Sequence, residues 1–353
     1  MNHLLLLNAL FICVISLATI YSATITRTSL FFRREALWLG ISVGAYILFT
    51  LIDYKKYGKY YKVIYGFNLL LLMSVYVIGI SRKGAYRWVA LGPFTVQPSE
   101  FAKLFIILTF SEFLVRNYRE RFDGVKSLFL AGLHILPVFL LILRQPDLGT
   151  SLVLIVIYVV LVFIHGIDWK MIALMVAGAV VSVPLVYLFV LKDYQRERIL
   201  TFLNPESNIS DSGWNVIQSM IAIGSGGVYG KGFMNNTQSK LRFLPESHTD
   251  FIGSVFLEER GLVGGLILLA LYLILIFQIL QVADTTEDPY GKLVCYGIAS
   301  IFFFHVAVNI GMIMGVMPVT GLPLLFMSYG GSSLLFSFMM LGIVQSVKIY
   351  RGE

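Results

Sequence analysis

Residues 261–280 read Gly-Leu-Val-Gly-Gly-Leu-Ile-Leu-Leu-Ala-Leu-Tyr-Leu-Ile-Leu-Ile-Phe-Gln-Ile-Leu, twenty positions without a charged side chain. At ~1.5 Å per residue this run crosses the ~30 Å hydrocarbon core of a bilayer, where a helix satisfies its own backbone. Blocks of the same kind recur at about 4–22, 36–53, 62–80, 100–115, 127–143, 148–165, 170–191, 293–316 and 330–349, which makes ten spans. Composition agrees, with 58% hydrophobic residues, 13% charged residues and a mean hydropathy of +0.81. The expectation is an all-α polytopic membrane protein, a single membrane domain over 1–353. One long extracellular loop, at about 192–249, would lie between the seventh and eighth spans. The first span opens on Met-Asn-His without Lys or Arg and is followed by further spans, so it reads as a mature helix rather than a signal peptide.

The net charge of +7 is modest for this length and does not point to a nucleic-acid partner. With the N-terminus inside and spans alternating, twelve Lys and Arg fall on inner segments against seven on the short outer ones. That bias and the even span number predict both termini in the cytoplasm and the long loop outside. Cys13 and Cys295 lie in or beside apolar spans and read as buried thiols.

Four outward segments are richer in polar residues than spacers need. The first runs from Arg82, Lys83 and Arg87 to Gln97-Pro98-Ser99-Glu100-Phe101-Ala102-Lys103. Ser99 is the expected N-cap, and Glu100 and Lys103 fall one turn apart on one face of a span. They form either a self-neutralising ion pair or the wall of a cavity for a charged ligand, and the upstream cations suit a diphosphate. The second is Arg144-Gln145-Pro146-Asp147-Leu148-Gly149-Thr150, where Asp147 caps a helix, lines the cavity or ligates a cation.

The third, Gln218-Ser219 through Gly224-Ser225-Gly226-Gly227 to Tyr229-Gly230-Lys231-Gly232, fails both phosphate-loop and dinucleotide patterns. It reads as a flexible loop or a close backbone approach. The fourth is Pro245-Glu246-Ser247-His248-Thr249-Asp250-Phe251, with Lys240 and Arg242 just before it. Thr249 or Asp250 would cap the next helix, and ionisable groups at a membrane boundary are functional candidates by default. Residues 249–261 either project beyond the hydrocarbon or are buried in protein as a re-entrant piece.

His134 and His305 have no partner at ligand spacing and read as packing or helix–helix hydrogen-bonding residues. Asn208-Ile-Ser210 and Asn235-Asn236-Thr237 match glycosylation sequons by letter only. A last turn, Gly321-Leu322-Pro323, leads to Gly330-Gly331-Ser332-Ser333, small residues suited to close helix packing or approach to a ligand.

These motifs, in this order and over essentially the whole chain, resemble the SEDS family (shape, elongation, division and sporulation), with short termini that fit its elongation branch. The resemblance implies a peptidoglycan glycosyltransferase that polymerises lipid II at the outer face of the bacterial cytoplasmic membrane. It also implies a class B penicillin-binding protein (a transpeptidase) as partner, other membrane proteins of the elongation machinery, and a divalent cation, Mg2+ or Mn2+, with no organic cofactor. By the same resemblance Asp250 is essential, and Glu100 and Lys103 are functionally important.

The chemistry expected of these residues is glycosyl transfer with inversion. Asp250 would act as base on the acceptor hydroxyl, and Lys103 and Arg87 would offset charge on the departing diphosphate. The substrate-contacting set would be Arg87, Gln97, Ser99, Glu100, Lys103, Asp147, Gln218, Lys240, Glu246, Ser247 and His248, with Glu100 and Asp250 as metal candidates. The alternative is a lipid II flippase without chemistry, and a third reading is a non-catalytic scaffold for the transpeptidase.

Overall fold

A computed structural model describes residues 3–25, 28–82, 85–92, 94–118, 122, 124–189, 191, 193–203 and 212–351. Lys83, the sequon Asn208–Ser210, and four cations of the charge count (Arg27, Lys83, Arg119 and Arg121) lie outside the described residues.

The chain runs α1 (His3–Thr24), α2 (Leu30–Leu51), α3 (Lys55–Lys59), α4 (Tyr61–Ile78), then strands β1 (Gly79–Arg82), β2 (Ala85–Leu91) and β3 (Phe94–Val96). It continues with α5 (Pro98–Asn117), α6 (Val125–Arg144), α7 (Leu148–Gly166), α8 (Trp169–Phe189), α9 (Asp193–Leu203), α10 (Ser212–Gly226) and α11 (Thr237–Lys240). The last helices are α12 (Ile252–Asp284), α13 (Pro289–Ile313) and α14 (Gly331–Tyr350).

Among the described residues, nine helices are long and apolar enough to cross a membrane: α1, α2, α4, α6, α7, α8, α12, α13 and α14. The tenth expected span is α5. Four charged residues, Glu100, Lys103, Glu112 and Arg116, break its apolar run, yet it packs against α4, α6, α7, α13 and α14 in the middle of the bundle. Lipid-facing surface is left to side chains such as Leu70, Val77, Phe163 and Phe277, which are exposed as expected when the solvent is hydrocarbon.

Two features depart from the expected pattern of plain helices and one polar loop. Strands β1, β2 and β3 form a three-stranded antiparallel sheet, in the order β1-β2-β3, on the connection into α5. The long connection after α8 carries α9, α10 and α11, and α10 packs along α12.

The two ends of the bundle are distinguishable. At one end the Tyr54 amide donates to Ser346 Oγ at 3.0 Å, Ser346 Oγ donates to the Ile52 carbonyl at 2.6 Å, and Arg351 Nη1 reaches Thr285. At the other end the α1 terminus, the α2 start, the sheet, the α6–α7 turn and the segments 231–251 and 314–330 converge. All four polar motifs sit at this second end.

Helix α12 is broken at Gly261, whose φ of 64° and ψ of −164° are open only to glycine. Before the break, Ile252–Val255 and Glu258–Glu259 are buried in protein.

The break frees two amides and two carbonyls, and the glycine-rich loop takes up all four. The Leu262 and Val263 amides donate to the Gly227 and Val228 carbonyls at 2.9 and 3.1 Å. In return, the Lys231 and Gly232 amides each donate at 3.0 Å to the carbonyls of Glu258 and Glu259. A Cβ at Gly230 would stand 2.1 Å from the Glu259 carbonyl oxygen, and one at Gly226 2.3 Å from that of Leu257. The loop is therefore glycine-rich because two backbones touch there, and the exchange meets the requirement that backbone groups away from water be paired.

Candidate active site

Asp147 joins the first two polar motifs. Pro98 takes the first helical position of α5, which makes Gln97 its N-cap in place of the expected Ser99. The Ser99 hydroxyl instead donates to Asp147 Oδ2 at 3.0 Å, as do Gln97 Nε2 and Thr150 Oγ1, each at 3.0 Å. The Thr150 amide donates to Oδ1 at 3.3 Å, so Asp147 caps α7 while tying it to the start of α5.

Arg87, on β2, donates through Nε to the Gln145 carbonyl at 3.0 Å and through Nη2 to the Pro146 carbonyl, and Nη1 stands 3.9 Å from Asp147 Oδ1. The guanidinium thus caps the carbonyl end of α6, where the helix dipole is negative, and part of it stays exposed. Gly149 is required one residue beyond Leu148, because a Cβ there would meet the Thr320 carbonyl oxygen at 2.9 Å.

Glu100 and Lys103 form the expected pair, with Lys103 Nζ 3.0 Å from Glu100 Oε2. The ammonium is fully enclosed (0% exposed), lies 4.7 Å above the Phe336 ring, and its third neighbour is His305 Nε2 at 3.2 Å. Burial of an ammonium is tolerated only with such partners around it.

Asp250 follows a turn closed by Glu246, whose carbonyl accepts from the amides of Thr249 and Phe251 at 3.3 and 3.2 Å and whose Oε2 accepts from Thr249 Oγ1 at 2.9 Å. The N-cap of α12 is Phe251, without a side-chain cap bond, in place of the expected Thr249 or Asp250. The Asp250 carbonyl accepts from Asn309 Nδ2 at 3.0 Å, and a Cβ at Gly321 would lie 3.9 Å from Asp250 Oδ2. The carboxylate therefore sits against the 320–323 turn.

The neighbours of Asp250 are pinned on each side. The His248 ring packs on Phe31 (4.6 Å between centroids) and Tyr329 (5.7 Å), while its carbonyl accepts from the Tyr329 amide at 3.0 Å. Ser247 is buried 2.9 Å from Ser239 Oγ. Lys240 donates to the Met234 carbonyl, and Gln218 is buried on α10. Beside it, the Ser219 hydroxyl lies 2.6 Å from Ser254 Oγ and donates to the Ile313 carbonyl at 2.6 Å. Lys240 and Gln218 thus belong to the walls that seat α10–α12.

Sequence reasoning passed over Asn309 and Glu35 here, and gave His305 the helix–helix hydrogen-bonding role that it has. His305 and Asn309, one turn apart on α13, bridge the Lys103 and Asp250 halves. Glu35 on α2, buried, accepts from the Gly330 amide at 3.3 Å. A polar i, i+4 pair and a carboxylate inside apolar spans were the available signals.

Among the described residues, no group of three or more His, Cys, Asp or Glu converges as a metal site. Of the two candidates, Glu100 is committed to Lys103. Mg2+ is commonly held by one or two carboxylates together with substrate phosphates, and this donor set fits an ion held in that way.

The whole chain, residues 1–353, matches the FtsW/RodA/SpoVE family, described as cell cycle proteins. It is 40% identical over 313 residues to the peptidoglycan glycosyltransferase MrdB of Escherichia coli K12, covering 88% of this chain and 84% of that protein. It is 34% identical to the peptidoglycan glycosyltransferase RodA of Treponema pallidum, covering 98% of this chain and 97% of that one. Among solved structures, a chain of a peptidoglycan synthase complex that coordinates polymerization and crosslinking superposes with a TM-score of 0.85 at 32% identity, over 99% of this chain and 98% of that one. The rod shape determining protein RodA of Thermus thermophilus gives 0.75 at 30% identity, over 99% and 97%. The fold and site are those of a multi-pass membrane protein of cell-wall synthesis. The chain belongs to the FtsW/RodA/SpoVE family.

Proposed function

We propose that this chain, a peptidoglycan glycosyltransferase as its relatives are named, polymerises lipid II as a single membrane domain, with its polar end at the outer face of the bacterial cytoplasmic membrane and both termini inside. The observation that carries the reading is the convergence of Asp250 with the Glu100–Lys103 pair around the Leu322–Pro323 turn, at one end of the bundle.

In this reading Asp250 takes the proton of the acceptor 4-hydroxyl. The oxygen then attacks the anomeric carbon of the growing chain with inversion, and that carbon's bond to the diphosphate breaks, releasing undecaprenyl diphosphate. One base suffices because diphosphate is a good leaving group. The partly exposed Arg87 offers guanidinium donors to that diphosphate, while Lys103 acts from beneath by orienting Glu100 and setting a positive field. Glu246, Ser247 and His248 hold Asp250 in place, and Asp147, Gln97 and Ser99 hold the opposite wall. A divalent cation would enter with the diphosphate, and no step requires the protein to hold it beforehand.

The similar synthase complex, which coordinates polymerization with crosslinking, supports a penicillin-binding protein as partner, here taken as a class B transpeptidase. A flippase needs polar groups along a path through the bilayer. Here the polar motifs gather at one end, which favours the enzyme over that alternative. The test is polymerisation of purified lipid II by wild type and Asp250→Asn, with and without the transpeptidase. The variant should lose about 10²–10⁴-fold in rate while remaining folded. A near wild-type rate, or headgroup translocation without glycan chains, overturns the proposal.

A further inference from the structure

His305 and Asn309 occupy one face of α13 and make four contacts that divide between the two halves of the site. His305 Nε2 lies 3.2 Å from Lys103 Nζ, and His305 Nδ1 lies 2.9 Å from the Pro323 carbonyl. Asn309 Nδ2 donates to the Leu322 carbonyl at 2.9 Å and to the Asp250 carbonyl at 3.0 Å. All of this lies in a fully enclosed setting, with both side chains at 0% exposure.

The partners assign the proton on the ring. A carbonyl only accepts, so Nδ1 carries the hydrogen. An ammonium only donates, so Nε2 is bare and the imidazole neutral. Lys103 then spends one N–H on Glu100 and one on His305, with Phe336 beneath it. Its position is thereby referred to the Pro323 carbonyl, one residue from the Leu322 carbonyl, which shares the Asn309 Nδ2 donor with the Asp250 carbonyl.

We infer that His305 is a positioning residue for the glycosyl transfer: it holds Lys103 in register with Asp250 through the 322–323 turn. This rests on the proposed roles of Asp250 and Lys103 in one site. Misplacing reacting groups by about 1 Å costs on the order of 10²-fold in rate, and such a loss falls on kcat rather than on substrate binding.

Two substitutions divide the side chain. His305→Gln places an amide near Nε2 and keeps an acceptor for Lys103. His305→Asn places one near Nδ1 and keeps a donor for Pro323, but leaves Lys103 short of a partner. Lipid II polymerisation is measured for both in the complex with the transpeptidase, alongside Asp250→Asn and thermal unfolding of each. The expected result is a loss of about 10- to 100-fold in kcat at unchanged KM for His305→Asn, with His305→Gln within about threefold of wild type. Equal activity of the two variants, or losses that follow unfolding temperature alone, overturns the positioning role. If Asp250→Asn is itself active, the reading of the site fails instead, whatever the His305 variants do.

Discussion

Glu258 and Lys231 are joined twice: the Lys231 amide donates to the Glu258 carbonyl at 3.0 Å, and the Lys231 ammonium donates to Glu258 Oε1 at 2.6 Å. The same carboxylate oxygen accepts from the Thr237 amide at 2.8 Å and from its hydroxyl at 2.7 Å. One buried glutamate thus fastens the loop 231–240 to the broken helix just before Gly261.

Glu258→Ala should free that loop. Each hydrogen bond to the charged carboxylate is worth about 1.5–3 kcal/mol, so the unfolding temperature should fall and residues 231–240 should become protease-sensitive. Lys231→Met should be milder, because both Thr237 donors remain. Limited proteolysis in detergent distinguishes the two, and equal resistance of wild type and Glu258→Ala would rule out the clamp.

Gly230→Ala should be more severe than its one carbon suggests. The position has φ of +81°, and the added Cβ would overlap the Glu259 carbonyl. The left-handed backbone alone costs about 1–2 kcal/mol for alanine, and the overlap adds the loss of the bonds that close the helix break. Yield and thermal stability after purification measure it. Gly224→Ala serves as control, since a Cβ there meets nothing within 4 Å.

Lys103→Met alone leaves Glu100 buried and unpaired, which should cost about 3–5 kcal/mol. Adding Glu100→Gln removes the stranded charge and should restore much of the stability but none of the polymerisation. Thermal unfolding and activity of the three proteins should therefore separate. If the double variant is no more stable than Lys103→Met, the charge pairing is not what holds this wall.

Chelation should stop polymerisation without lowering the unfolding temperature of the substrate-free protein, and Mg2+ or Mn2+ should restore it. That pattern belongs to an ion that enters with the diphosphate. A drop in unfolding temperature on adding chelator would instead mark a protein-held ion.

Most spans were legible because hydrocarbon demands long uncharged runs, and α5 was legible as well because its charges cluster near its two ends. The Pro98 position was misread at the cap: proline favours the first helical residue, which moves the cap to Gln97 and frees Ser99 for Asp147. The strands of 79–96 were hidden because they are only four, seven and three residues long and lie between two helices. The buried start of α12 was undecided from sequence because its polar residues, Glu258 and Glu259, suit water or a buried clamp equally well until their partners are known.

Local chemistry in the chain was enough to place ten spans and to put the polar motifs at one end, since solvent alone dictates where charge and apolar length belong, while the family resemblance singled out Asp250, Glu100 and Lys103. The folded arrangement supplied the partners. Lys103 meets His305 across 202 residues, Asn236 meets Ser22 across 214, and the glycine loop meets the break at Gly261. No periodicity encodes such pairings. They follow from which helices pack together, and that packing converts isolated polar residues into a held site.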